Sequence, residues 1–121
     1  MPTGDVPKPP QNDFGPVALP VQGGYLMVPP GSIVFCRAAG NYTHIFLSNG
    51  KELSLCKRLK EVESLLPEAL FYRVHQTYLV NLRHVKMWLR ENGDFLHLSN
   101  GEKAPVARLR KKGLKSRLNL G

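Results

Sequence analysis

Between Phe71 and Asn81 the chain reads FYRVHQTYLVN, a strand-like run of apolar and aromatic residues into which Arg73, His75, Gln76 and Asn81 are set. Such polar residues are either satisfied groups in a core or a working surface. As surface groups they suit nucleic acid. Glutamine bonds bidentately to adenine N6 and N7, and arginine to guanine O6 and N7, so Gln76 and, further along, Arg108 are residue types that read bases. Arg58, Arg73 and Lys111 are cations suited to phosphate, where register is fixed but sequence is not read. For His75 two readings stay open, a ring bonded to backbone and a DNA ligand. Asn81 is expected to bond a turn backbone.

Other chemistries find no support. There is no Gly-rich phosphate loop, no two-His helix motif for zinc and no serine in a nucleophile elbow. The histidines at 44, 75, 84 and 97 are dispersed, and none pairs with an acid or cysteine at ligand spacing. No enzyme, metal site or cofactor is expected. Cys36 and Cys56 lie in apolar contexts, SIVFCRAAG and ELSLCKRL, and both are expected to be buried free thiols.

Charge points the same way as the residue types. The net charge is +8 over 121 residues, and residues 101–121 alone hold seven basic residues against one acidic. A local basic concentration suits a polyanion, because each neutralised phosphate releases condensed counterions. The length suits one domain with a modest core. No apolar run approaches the roughly 18–20 residues of a membrane span. The start, MPTGDVPKPPQNDFGP, has no apolar stretch flanked by basic residues, so a cytoplasmic protein is expected.

The elements that must carry these groups are mostly strands. Residues 1–23 are proline-rich and expected to form a flexible segment, with a folded domain over 24–121. YLMV, SIVFCRA and YTHIFL are short β-branched and aromatic runs bounded by Gly, Pro and Asn. Asn49-Gly50, Asn92-Gly93 and Asn100-Gly101 each suit a two-residue type I′ hairpin. The middle turn would then set Leu89 against Leu96 and Met87 against Leu98, with Trp88 and Phe95 together on the other face. The first would set Leu47 against Glu52, an untidy pairing that invites a bulge or a slipped register; the third would put Pro105 near Leu96, on an edge strand. In SLCKRLKEVESLLP, the residues Leu55, Leu59, Val62 and Leu66 recur at helical spacing, Ser54 can cap the start and Pro67 stops the run, which predicts one amphipathic helix. A second, over ARLRKKGLKSRL, is weakened by Gly113. With a single convincing helix followed by a strand, a helix-turn-helix is excluded. If this chain reads DNA, loops and strand ends do it.

From about Tyr25 to Leu118 the chain resembles the LytTR family of bacterial DNA-binding domains. The family's Phe-x-Arg-x-His-x-Ser/Thr-aromatic-aliphatic-Val-Asn pattern is matched by Phe71, Arg73, His75, Thr77, Tyr78, Leu79, Val80 and Asn81. AAGNYTHIFL, the LKEVESLLP helix, LSNGEKAPVAR and the basic C-terminal segment accompany it in the family's order. The resemblance implies a mainly β fold, a stack of small antiparallel sheets with about ten short strands and one short amphipathic helix. It also implies a bacterial transcriptional regulator whose loops enter successive major grooves of double-stranded DNA, commonly at paired direct repeats, with dimeric occupancy on DNA and a sensory or receiver part that is separate or missing. Carried over by position, Tyr42, Gln76 and Arg108 would contact bases. Asn41, Arg58, Lys60, Arg73, His75, Thr77 and Lys111 would contact the DNA backbone. Two positions depart from the pattern: Gln76 stands where Arg or Asn is commoner, and Ala107 where Ser is. The alternative is a basic β-rich interaction module that binds protein or RNA.

Overall fold

The computed structural model describes residues 14–120. Three antiparallel sheets stack, and the largest lies in the middle. β3 (Ile33–Ala39), β4 (Tyr42–Leu47), β5 (Glu52–Leu55), β6 (Phe71–His75) and β7 (Tyr78–Asn81) form that sheet in the order β5-β4-β3-β7-β6. β1 (Val17–Val21) and β2 (Gly24–Val28) make a two-stranded sheet. β8 (Val85–Arg90), β9 (Asp94–Leu98) and β10 (Lys103–Val106) make a three-stranded one, in the order β10-β9-β8. Two short helices complete the molecule, α1 (Leu59–Leu65) and α2 (Lys111–Arg117). The expected mainly β stack of ten short strands is what the chain forms.

The middle sheet is covered on both faces, so its central strand β3 begins as an unbroken buried run, Ile33 to Cys36. Alternation, broken in β3 by a bulge between Ile33 and Phe35 that puts Val34 and Phe35 on the same side, sorts the side chains of the sheet into two cores. Ile33, Cys36, Ile45, Leu55 and Leu79 pack with Leu19, Val28, Leu59 and Val62 under β1, β2 and α1. Val34, Phe35, Val74 and Val80 pack with Leu96, Leu98, Ala104, Val106 and Leu114 under the three-stranded sheet and α2. Burial pushes the Cys36 thiol far above its ordinary pKa. Cys56, expected to be buried as well, is exposed, because it follows the last residue of β5, where the chain leaves the sheet.

All three Asn-Gly hairpins differ from the two-residue expectation by one residue, the first and third for the same reason, while in the middle one Asn92 and Gly93 both have positive φ, 61° and 122°. Phe46 pairs with Glu52, Arg90 with Asp94, and Ala104 with Leu96, so the loops hold three residues: Ser48 to Gly50, Glu91 to Gly93, and Ser99 to Gly101. In the first and third only the glycine has positive φ, 89° in each. The preceding asparagine instead accepts the backbone N–H two residues on, Asn49 from Lys51 at 2.9 Å and Asn100 from Glu102 at 3.0 Å. This is a turn with a left-handed glycine bulge rather than type I′. The slip sets Pro105 against Phe95 and puts Trp88 opposite Leu96, on the inward face, where its indole N–H donates to Asp94 at 2.9 Å. Trp88 and Phe95 therefore lie on opposite faces, not one.

The first helix is shorter than the periodicity suggests. Ser54 and Leu55 belong to β5, where Leu55 pairs with Thr43, so Ser54 caps nothing. Arg58 occupies the N-cap instead, its backbone N–H donating to the Glu61 carboxylate at 3.0 Å. The second helix forms, and Gly113 explains itself there: a Cβ at that position would collide with the Tyr72 hydroxyl, which donates to the Arg110 carbonyl at 3.3 Å. Within the segment expected to be flexible, residues 17–21 form β1, with Leu19 wholly buried; residues 1–13 lie outside the described residues.

Candidate nucleic-acid interface

Strand register brings four separate basic or polar segments to one end of the middle sheet. β3 ends at Ala39 and returns as β4 through the two-residue turn Gly40-Asn41, with Gly40 at φ 63°. Because Arg37 pairs with Tyr78, and Ala38 donates to the Thr77 carbonyl at 2.9 Å, the β6–β7 turn Gln76-Thr77 lies beside it. Thr43, next to Tyr42, donates its hydroxyl to the Lys57 carbonyl at 2.7 Å, which holds the Lys57-Arg58 exit from β5 at the same end. Finally, the Ala107 N–H donates to the Val74 carbonyl at 2.8 Å, which brings Arg108 there from the other sheet. Tyr42, Asn41, Arg58, Lys60, Gln76 and Arg108 are all exposed.

The signature hairpin is irregular where it matters. Arg73 pairs with Leu79 but His75 pairs with Tyr78, so Val74 is the extra residue of a β-bulge. Its side chain is fully buried, and its carbonyl is the one that receives Ala107. The bulge thus ties the Gln76 turn to the segment that carries Arg108. At the tip, His75 Nδ1 accepts the Thr77 backbone N–H at 3.1 Å and lies 3.0 Å from the Thr77 hydroxyl. The accepting nitrogen carries no proton, so the neutral ring bears its hydrogen on Nε2. His75 therefore braces the turn, its edge set against Tyr78 with ring centroids 5.9 Å apart. Arg73 is also committed: Nη1 meets the Glu63 carboxylate at 3.1 Å, and Nη2 donates to the Gln76 carbonyl at 2.6 Å. Asn81 is buried and structural, as expected, donating to the Ile33 carbonyl and accepting from Arg83 N–H.

Lys111 is the other expected phosphate contact with an internal partner. Its ammonium lies 3.3 Å from Asp94, whose other oxygen accepts the Trp88 indole. The Trp88 bond first, and then Lys111, hold the Asp94 carboxyl below its ordinary range against the opposing effect of burial. A depressed folded pKa contributes stability above the unfolded value of roughly 4, lost as pH falls through the folded value. Thermal unfolding should therefore show Asp94→Asn less stable than the parent at pH 7, with the gap shrinking as the pH drops below about 4. A gap that persisted unchanged at pH 2 would contradict this pairing.

Sequence reasoning missed several groups near this end. Lys57 and Arg110 lie inside segments already singled out, yet nothing in their spacing marks them individually. Arg37, half-buried with its guanidinium 5.1 Å from the Phe46 ring centroid, gives no local signal at all. Glu63 lies within the LKEVESLLP helix segment, and its role as the partner of Arg73 is visible only in three dimensions.

Residues 23–119 match the LytTr DNA-binding domain family. The chain belongs to that family. The CO-responsive transcriptional regulator RcoM of Rhodospirillum rubrum is 33% identical over 117 aligned residues, covering 79% of this chain and 49% of that protein. The sensory transduction protein LytT of Enterococcus faecalis is 27% identical over 108, covering 85% and 44%. This chain therefore spans about half the length of those two relatives. Among solved structures, the LytTr DNA-binding domain assigned to a methyl-accepting/DNA response regulator from Bacillus cereus superposes with a TM-score of 0.71 at 25% identity, covering 87% of this chain and 97% of that one. The three-sheet stack is thus the LytTr architecture, and the loops gathered at the end of its middle sheet belong to a domain of that kind.

Proposed function

We propose that this chain binds double-stranded DNA sequence-specifically and regulates transcription, using the loop end of the middle sheet as its reading surface. The observation that carries the reading is the convergence there of four segments, two of which present Gln76 and Arg108 to solvent. In this reading Tyr42, Gln76 and Arg108 contact base edges in successive major grooves. Asn41, Arg58, Lys60 and Thr77 take the flanking phosphates, with His75 setting the turn beside them. Lys111 reaches phosphate from its place against Asp94, its side chain being 39% exposed. Arg73, committed to the hairpin carbonyls and to Glu63, is left out of that set. Paired direct repeats occupied by two copies suit a compact domain that covers only a short stretch of groove. A sensory part supplied elsewhere suits relatives about twice as long as the matched region. No helix among the described residues is long and apolar enough to cross a membrane, and we place the activity in the cytoplasm.

The test is a salt titration of binding to in vitro selected and to random duplexes. Affinity should fall with a log–log slope of roughly 0.9 per phosphate contact, and the selected duplex should bind at least about a thousandfold tighter. Arg58→Ala should weaken both duplexes alike and reduce the slope by about one. Equal affinities for the two duplexes, both negligible near physiological salt, would exclude the reading.

A further inference from the structure

The β6–β7 turn that carries Gln76 has an unusual hold on it. Arg73 Nε donates to the His75 and Gln76 carbonyls, each at 3.2 Å, and Nη2 donates to the Gln76 carbonyl at 2.6 Å. Nη1 bonds Glu63 Oε1 on α1 at 3.1 Å. Three of the five guanidinium N–H groups are thus used internally, and the side chain is only 18% exposed. A phosphate contact needs the reverse, a cation free to face solvent, as Arg58 and Arg108 are.

We infer that Arg73 is the positioning residue of the reading turn: it clamps the Gln76 peptide to α1 through Glu63 and so fixes the direction in which the Gln76 side chain leaves the backbone. The clamp acts on a carbonyl, whose orientation sets the peptide plane on the C-terminal side of Gln76. Thr77 is held in turn by its N–H to His75 and its carbonyl to Ala38. The carbonyls of His75, Gln76 and Thr77 and the Thr77 N–H are therefore anchored, which leaves the Gln76 side chain chiefly the freedom of its own torsions. A base-reading amide must meet two base atoms at once, so small errors in its origin cost selectivity more than affinity. Lysine cannot replace the clamp, because a single ammonium does not span two carbonyls and a carboxylate in the way the planar guanidinium does.

The inference rests on the base-reading role proposed for Gln76, and the test separates the two. Arg73→Lys keeps the charge and removes the fork. In the full chain, preference for the selected over the random duplex should fall about tenfold, while affinity for random duplex and the salt slope stay as in the parent. Amide hydrogen exchange at Thr77, whose N–H is bonded to His75, should quicken by a similar factor, with the centres of β3 and β7 unchanged. Glu63→Ala, a change at a partly exposed helix position, should move both readouts the same way by less, which keeps the test open if Arg73→Lys folds poorly. Equal losses on both duplexes with a reduced slope would make Arg73 a phosphate contact and overturn the inference. So would unchanged exchange at Thr77, which can be measured even if no duplex proves to be preferred.

Discussion

Phe35→Ala should lower the unfolding free energy by about 3–5 kcal/mol, seen as a lower urea midpoint at unchanged m-value. Phe35 is 1% exposed on the central strand of the sheet that both cores share. Its ring stacks on Phe46 at 4.3 Å with planes 6° apart and lies 5.9 Å from Tyr78, so truncation removes apolar burial and two aromatic contacts together. Such contacts are worth about 0.5–1.5 kcal/mol each beyond the area they bury. Neighbours on paired strands cannot collapse into the gap without moving β4 and β7, and that is why the upper part of the range is expected. Tyr78 also backs His75 at the turn, so the cavity opens beneath the proposed reading surface. A loss under about 1 kcal/mol would show that this core is not the one that holds the loops.

The second large effect is on recognition. Gln76→Ala and Arg108→Ala should each remove about 1–3 kcal/mol of binding at one base position. They sit on different loops tied together at the Val74 bulge, and in the proposed reading they meet different bases. The double variant should thus lose about 2–6 kcal/mol on the selected duplex and little on random DNA. Repeating the selection with each single variant should relax preference at one position and leave the rest intact. Uniform weakening on all duplexes by Arg108→Ala would move that residue into the phosphate class.

What local sequence could and could not reveal follows from the range of each signal. Alternation and turn residues are short-range, so the strands, the signature hairpin and the identity of the polar residues at its tip were legible. The Asn-Gly pairs were legible as turns but not as registers, since the same dipeptide serves a type I′ turn and a three-residue loop. Asn49 and Asn100 bond the N–H two residues on, whereas Asn92 takes positive φ and still closes a three-residue loop, so the dipeptide alone does not carry the register. Leu55 fitted the helical spacing of α1 as well as the end of β5, and its pairing with Thr43 decided for the strand. The internal commitments of Arg73 to Glu63 and of Lys111 to Asp94 join residues from different elements, so composition showed only cations. Convergence of the loops rests on Arg37 pairing with Tyr78 and Ala107 bonding Val74, contacts between residues more than thirty positions apart.

The most direct measurement is an amide chemical-shift map of the labelled protein titrated with its selected duplex. The largest changes should fall on 40–42, 57–60, 75–78 and 107–112, with the β1–β2 turn and the Glu91-Asn92-Gly93 loop unmoved. Changes centred on those two loops, with the four segments silent, would contradict the reading surface assigned here.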